Sequence, residues 1–495
     1  MDYIIGIDIG TTSTKALAFN LEGKLLSKSV KEYPLITPQP HYCEQDPQLI
    51  FESAIEVLKN TVNENKNHQL LALSFSSAMH SLIAVDKKGE PLTNCIIWAD
   101  NGADQQAKQL KSQNTGKIIY ERTGTPLHAM TPLCKLAWFY KNDPQLLRHT
   151  HKFIGIKEYV IYRLVGKFLI DYSLASATGL FDNQKLTWLD QSLEFAHVSS
   201  SQLSKLVSPL HTEVGLNKKW AKALGISTDV PVVMGASDGC LANLGSYAFQ
   251  PGEAVVTIGT SGAIRVGSTR PLIDPQQRLF CYLLQPGHYI SGGAVNNGGI
   301  VLDWFAKNMV EGDIPIEKLL NDAAKITPGS DGLIFLPYLL GERAPIWDSQ
   351  ASGGYMGISI EHKQAHFLRA ALEGVIFNIY QIGRALKEVS GEIHLIKANG
   401  GFAQSKLWLQ ILADVFNRKV YYSDIVDAPS VGAFLMALEA LKISDWKEVH
   451  TNNKEEELIV PNPVVHKTYQ KSYSIFEGLY PNLKQDFAKI YQLKK

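Results

Sequence analysis

Asp8 stands inside an otherwise apolar run, Ile4-Ile5-Gly6-Ile7-Asp8-Ile9, and is followed at once by Gly10 and by hydroxyl side chains at residues 11–14. A strand that ends in this way suits a phosphate grip. Gly10 lets the backbone turn and approach closely, successive N–H groups form an anion-binding concavity, and Thr11, Thr12 and Ser13 add donors. Asp8 would repel a bare phosphate, so its presence implies a cation between the two. Mg²⁺ characteristically combines one or two carboxylates with waters and phosphate oxygens. Taken alone, the stretch reads equally well as a hairpin whose turn uses Gly and Thr. About half a chain length later it recurs as Thr257-Ile258-Gly259-Thr260-Ser261-Gly262, with Thr257 in the place of Asp8. Two such turns facing each other across a cleft would hold both ends of a triphosphate, with the metal on the first. A third glycine-rich point, Asn399-Gly400-Gly401, leads through Ser405 into a helical run. It suits nucleotide contact at a helix N-terminus or a plain strand–helix turn. No G-x-x-x-x-G-K-[ST] and no G-x-G-x-x-G after a strand is present. The remaining carboxylate of interest is Asp238, which follows an apolar run and has small neighbours that leave room for a ligand. It suits a general base or the cap of the helix that follows.

The elements that must position these groups alternate along the first third of the chain. Residues 3–9 and 15–20 read as strands around a tight turn, and residues 24–33 as a third strand. Residues 46–58 have helical spacing, with Leu49, Ile50, Ile55 and Leu58 on one side and Pro47 at a helix-start position. Residues 70–86 and 95–100 return to strand, which points to an α/β architecture. At 495 residues the chain implies roughly two or three domains. The repeated hairpin predicts two related domains, 1–245 and 246–495, with Pro251-Gly252 as the turn signal near the boundary. Residues 466–493 place Tyr469, Tyr473, Phe476, Leu483, Phe487 and Ile490 at helical spacing and read as packing helices. The run at 454–457 reads as a solvated face.

Apolar residues make up 45% and charged residues 19%, with net charge +0, so no basic field argues for nucleic acid or an anionic membrane. Five cysteines without a C-x-x-C pair predict neither a disulfide framework nor a zinc site, and fit a reducing compartment. No signal pattern is seen and no apolar stretch approaches the ~20 residues of a membrane helix, so a cytoplasmic protein is expected.

Two stretches carry a resemblance. "MTPLCKLAWFYKN" (130–142) is similar to the first pattern of the FGGY family of carbohydrate kinases, with Pro132, Lys135 and Trp138 in place. "GGYMGISIEHKQAHFLRAALEG" (353–374) is similar to the second, with Gly357, His366, Ala370 and Glu373 fitting. The likeness runs over nearly the whole chain. It implies an α/β fold of two related actin-like ATPase (ribonuclease H-like) domains around an interdomain cleft. Within the family the chain is most similar to the gluconate kinases, through stretches such as "FSSAMHSLIAVD" and "PYLLGERAPIW". Xylulose kinases come next and share the Met79-His80 pair, whereas glycerol kinases usually have Arg-Glu there. The family's Trp-x-Asp-x-Arg appears here as "WADNGA", keeping Trp98 and Asp100 but with Gly102 for the Arg.

The resemblance implies ATP-dependent phosphorylation of D-gluconate to 6-phospho-D-gluconate, with ATP and Mg²⁺ and a homodimer common in the family. Asp238 matches the catalytic base and Asp8 the metal-associated carboxylate. Gly10, Thr11, Thr12 and Ser13 match the nearer phosphate grip. Gly259, Thr260 and Gly299 face the phosphates from the second domain, and Gly400, Gly401 and Ser405 lie on the adenosine side. Met79, His80 and Asp100 join Asp238 at the sugar. A sugar acid also calls for a positive or donor-rich end to the pocket, for which Lys157, Arg265 and Arg343 are candidates. Xylulose or another ketose or polyol is the alternative substrate. An actin- or chaperone-like ATPase, or a sugar-responsive DNA-binding regulator, is the alternative from another class.

Overall fold

The computed structural model describes residues 1–39, 41–422, 427–446 and 457–493. Its first element is the expected hairpin. Asp2–Ile9 and Ser13–Asn20 pair antiparallel, with Asp8 opposite Lys15 and Ile9 opposite Thr14. Both strands are buried along most of their length. Leu25–Glu32 extends the sheet beside the second strand and carries charge to solvent. On the other side Gln69–Ser77 runs parallel to Asp2–Ile9, and Val232–Ser237 runs parallel to Gln69–Ser77. Apolar strands covered on both faces are what parallel pairing requires.

The second half repeats this order. Glu253–Ile258 and Gly262–Ser268 form the hairpin, Leu395–Asn399 pairs parallel to its first strand, and Lys419–Tyr422 pairs parallel to that. His288–Val295 and Phe280–Gln285 extend the hairpin side antiparallel. The repeat seen in the sequence is therefore a repeat of topology, and the fold is α/β with two related sheets.

Pro47–Glu64 is the predicted helix, capped by Asp46 through the N–H groups of Gln48 and Leu49, and longer at its end because Thr61 and Val62 continue the buried stripe. Three expectations change. Residues 70–86 are not one strand: pairing stops at Ser77 and resumes at Ile83–Val85, because His80 takes a left-handed φ of 67° between them. In residues 95–100 only Cys95–Ile96 pairs. Residues 466–493 lie in one helix, Pro463–Leu493, which buries Tyr469, Tyr473, Phe476 and Phe487 while Ile490 is 41% exposed. Of the run at 454–457, residues 454–456 lie outside the described residues and Glu457 is exposed.

The helix Ala428–Ala440 comes from the second half of the chain but packs on the strands of the first sheet and on the helix Asp238–Gly245. Ile4, Leu17, Val233, Leu241 and Leu244 meet Phe434, Leu435 and Leu438 in one buried cluster. The backbones approach closely enough that a Cβ on Gly245 would lie 2.0 Å from the Ala428 carbonyl oxygen, and one on Gly432 would lie 2.3 Å from that of Leu241. In the stretch of chain that connects Gln69–Ser77 to Val232–Ser237, a further buried cluster includes Leu82, Leu110, Ile119, Leu133, Leu136 and Phe153. All five cysteines are buried and unpaired. Among the described residues no helix is long and apolar enough to cross a membrane.

Candidate active site

The ends of the two hairpins face one cleft of about 270 Å³. Thr11, Met79, His80, Trp98, Met130 and Asp238 line it from the first half, and Gly259, Ser261, Arg265, Tyr282, Arg343 and Trp347 from the second. The first turn is held from outside: Gly10 N–H donates to the Ser13 carbonyl (2.9 Å), Tyr33 Oη–H to the Gly10 carbonyl (2.7 Å) and Gln45 Nε2 to the Thr11 carbonyl (2.5 Å). Thr12 is exposed and Ser13 partly so. Asp8 is 5% exposed and accepts a hydrogen bond from Ser76 Oγ (2.8 Å). Burial pushes its pKa up to about 7; the neighbouring Asp427 and Asp238 add to the rise and Lys15, ion-paired with Asp427, opposes it.

Asp8 shares its one lysine, Lys15, with Asp427, and a divalent cation beside the turn would supply further positive charge. Among the described residues no group of three or more His, Cys, Asp or Glu forms a metal cage. The buried Asp8 beside the Gly-Thr turn fits a cation held by one carboxylate, waters and phosphate oxygens, which is the habit of Mg²⁺.

The second turn closes through Gly259 N–H to the Ser261 carbonyl (2.9 Å), and Gly299 N–H donates to the Gly259 carbonyl (2.6 Å). Gly299 precedes the helix Ile300–Asn308, so a helix start abuts this turn, and Gly259 and Thr260 are exposed. Gly400 has φ 95°, and a Cβ there would lie 2.5 Å from the Ile258 carbonyl oxygen, so only glycine fits at the end of this strand pair. Gly401 is exposed. Ser405 caps the helix Lys406–Phe416, its Oγ accepting from Trp408 N–H (3.3 Å). The predicted nucleotide residues therefore gather at the ends of adjacent strands in each half, with Ser405 also serving as a helix cap.

Asp238 is the first residue of the helix Asp238–Gly245, and its Oδ1 accepts from Gly239 N–H (2.6 Å). Burial raises its pKa, and Arg265, the Gly239 N–H, Arg343 and Lys157 hold it down. Gly239 is itself crowded: a Cβ there would lie 3.0 Å from Met79 Cε and 3.2 Å from Arg265 Nε.

His80 is 8% exposed, with its Nε2 3.3 Å from Tyr282 Oη. Burial, with Lys135 and Arg343 nearby, drives its pKa down to about 3, so the ring is neutral. Its backbone is held by Lys135, whose Nζ donates to the carbonyls of His80 (2.6 Å), Ile97 (2.8 Å) and Ile96 (3.1 Å). Sequence reasoning noted Lys135 only as part of a pattern. Its work is to tie the His80 loop to the neighbouring segment.

Asp100 does not line the cleft. It is buried, and its two oxygens accept from Cys43 N–H (2.8 Å) and Gly102 N–H (2.9 Å). Gly102, which stands where the resembled pattern has Arg, lies against the Tyr42 ring; a Cβ on Gly102 would lie 2.9 Å from Tyr42 Cε1 and 3.1 Å from Asp100 Oδ1. Trp98 does more than its place in the motif suggested. Its Nε1–H donates to Thr11 Oγ1 (2.8 Å), and the Arg343 guanidinium lies 4.5 Å over its ring.

The three candidate cations separate cleanly. Lys157 is 1% exposed, paired with Asp171 (2.7 Å), and donates to the carbonyls of Met234 (2.9 Å) and Ala236 (3.2 Å). It lies outside the cleft lining and binds strands together. Arg265 and Arg343 face the cleft, and each has a buried Nε without a hydrogen-bond partner.

Comparisons with known proteins agree with this geometry. The N-terminal domain of the FGGY family of carbohydrate kinases matches residues 3–245, and its C-terminal domain matches residues 254–441. A gluconokinase of Bacillus licheniformis is 41% identical over 499 aligned residues, covering 99% of this chain and 97% of that protein. The crystal structure of a gluconate kinase from Lactobacillus acidophilus superposes with a TM-score of 0.95 at 36% identity, covering 99% of both chains. A ligand-bound structure described as a xylulose kinase from the same organism matches equally well, at TM-score 0.95 and 36% identity, covering 99% of this chain and 100% of that one. With both halves matched in order along nearly the whole length, the chain belongs to the FGGY family of carbohydrate kinases.

Proposed function

We propose that the protein transfers the γ-phosphoryl group of ATP, with Mg²⁺, to D-gluconate, giving 6-phospho-D-gluconate and ADP. The observation that carries this reading is a single carboxylate, Asp238, in a cleft walled by a Gly-Thr turn on each side. Phosphoryl transfer needs positioning, charge neutralisation and a base for the acceptor hydroxyl. Asp238 takes the proton of that hydroxyl as its oxygen attacks the γ-phosphorus. The bond from the γ-phosphorus to the bridging oxygen breaks, and ADP leaves. Burial makes Asp238 a stronger base, and Arg265 and Arg343 oppose that rise.

Thr11, Thr12 and Ser13 grip the phosphates with Gly10 in the turn. Gly259, Thr260 and Gly299 face them from the second half, and Gly400, Gly401 and Ser405 take the adenosine side. Asp8 would hold the metal, which neutralises phosphate charge. Met79 and the neutral His80 contact the sugar, and Asp100 holds the Cys43 and Gly102 backbone beside it. We divide the chain into domains 1–245 and 246–495, and expect a cytoplasmic homodimer. Gluconate is chosen over xylulose because the 41% identical relative is a gluconokinase and the cleft carries two cations.

The test is ADP release with ATP and Mg²⁺ against D-gluconate, D-xylulose, glycerol, L-ribulose and no sugar. Turnover should favour gluconate, and Asp238→Asn should lower kcat by about 10²–10⁴-fold in a folded protein. Preference for xylulose would discard the substrate, and equal ADP release in every well would discard the kinase.

A further inference from the structure

We infer that Arg265 is the residue that reads the substrate's carboxylate, and so sets the preference for a sugar acid over a neutral sugar. The inference rests on the gluconate reading above and adds the residue that enforces it.

A guanidinium carries five donors and is rarely buried without partners for them. Among the described residues no carboxylate lies within ion-pair distance of Arg265. Its Nη1 has one long contact, to Thr257 Oγ1 at 3.4 Å, and its Nε has none. Burial lowers its pKa, with Asp238, Cys240 and Tyr282 as the opposing neighbours. Arg343 is the other cation of the cleft, but it is already held: its Nη2 donates to the Val295 carbonyl (3.0 Å) and its plane covers Trp98. Lys157 is consumed by Asp171 and by backbone carbonyls. Both cleft cations keep unpaired donors, and Arg265, whose single contact is the longer one at 3.4 Å, is the less committed of the two.

Its depth decides which anion it meets. Gly262 begins the strand at the second turn, opposite Ile258, and Arg265 follows three residues further in, opposite Val255. A strand rises ~3.3 Å per residue, so Arg265 starts roughly 10 Å below the turn. Its head lies against Gly239 and Met79, in space that any side chain at position 239 would fill. A six-carbon sugar acid phosphorylated at its terminal hydroxyl carries its carboxylate at the opposite end of the carbon chain. With the reacting hydroxyl between Asp238 and the phosphate turns, the carboxylate at the far end of the chain points away from the turns, toward the Arg265 fork, which offers a bidentate grip.

The experiment compares D-gluconate with D-gluconamide, which has the same chain and an uncharged end, in wild type, Arg265→Met and Arg265→Lys. Both kcat/KM and calorimetric binding without ATP are measured. Charged hydrogen bonds of this kind imply a wild-type preference for gluconate on the order of 10- to 100-fold. Arg265→Met should bring the ratio close to one, and Arg265→Lys should keep part of it. Because both ligands share the same base and nucleotide, the ratio is insensitive to any change that the substitution makes at Asp238. A ratio unchanged in both variants would place carboxylate recognition elsewhere. A rise in KM for ATP with the ratio intact would assign Arg265 to the phosphoryl group. Wild type that neither binds nor turns over gluconate, yet phosphorylates xylulose, would overturn the gluconate reading and this assignment together.

Discussion

Replacing Lys157 by Met separates a structural cation from a substrate-binding one. Lys157 lies behind the strands Gln69–Ser77 and Val232–Ser237, where its ammonium pairs with Asp171 and donates to Met234 and Ala236. Methionine is one atom shorter and uncharged, and leaves the Asp171 carboxylate buried without a counter-charge. Breaking such a pair from one side costs about 3–5 kcal/mol. For a unit of roughly 250 residues each kcal/mol moves the melting temperature by about 2–4 °C, so Lys157→Met should melt roughly 6–20 °C lower. Asp171 also caps the helix Tyr172–Ser176 through its Oδ1, and asparagine preserves that bond while removing the charge. The double variant Lys157→Met/Asp171→Asn should therefore recover much of the loss. Thermal unfolding of the ligand-free protein, read beside KM for gluconate, is the assay. A folded Lys157→Met with an unchanged melting temperature and a raised KM for gluconate would refute the reasoning and return Lys157 to the substrate.

Three further outcomes are expected. The pKa of Asp8 rises from 3.8 to about 7 on folding, so between those values the native state binds more protons than the unfolded state and stability falls as pH rises. Asp8→Asn should accordingly melt higher than wild type at about pH 8, with the gap shrinking as pH falls and closing only below about pH 4, and lose turnover; a lower melting temperature at both ends would contradict this. Trp98→Phe and Thr11→Val should show a coupling of about 1 kcal/mol in kcat/KM for ATP when combined in a double-mutant cycle, because both remove the same hydrogen bond; strict additivity would deny it. Gly102→Ala should destabilise by about 1–3 kcal/mol through its clash with Tyr42, and Tyr42→Ala in the same chain should relieve most of that. Denaturant midpoints of Gly102→Ala, Tyr42→Ala and the double variant decide the point.

The parts of this molecule legible in its sequence are those written in local order. The hairpins follow from short apolar runs around Gly-Thr turns, and their recurrence announced the second sheet. Asp238 was visible because a carboxylate after a buried strand is conspicuous. Phe139, in the helical run of the first pattern, is buried, with Trp138 half-buried against it and Tyr42. What could not be read depends on residues far apart in the chain. Lys157, Arg265 and Arg343 are alike as residue types, and only their partners, which come from distant strands, divide them. The Trp98–Thr11 bond joins positions 87 apart, and Asp100 is spent on the Cys43 backbone 57 residues earlier. His80 broke a strand that its apolar neighbours promised, because the Lys135 anchor that holds its loop lies 55 residues on. The helix Ala428–Ala440 is apolar on nearly every side, which marks it as buried without naming the sheet that it covers.

That helix has a mechanical consequence. At Gly6, Gly245 and Gly432 backbone meets backbone, with hypothetical Cβ contacts of 2.0–2.3 Å, and around these points Phe434, Leu435 and Leu438 interlock with Ile4, Leu17 and Leu241. The helix is a tenon that the second half of the chain contributes and the first sheet receives. Its first cap, Asp427, is paired with Lys15 beside Asp8. The joint thus carries an acidic group of the second half into the corner next to the first phosphate turn.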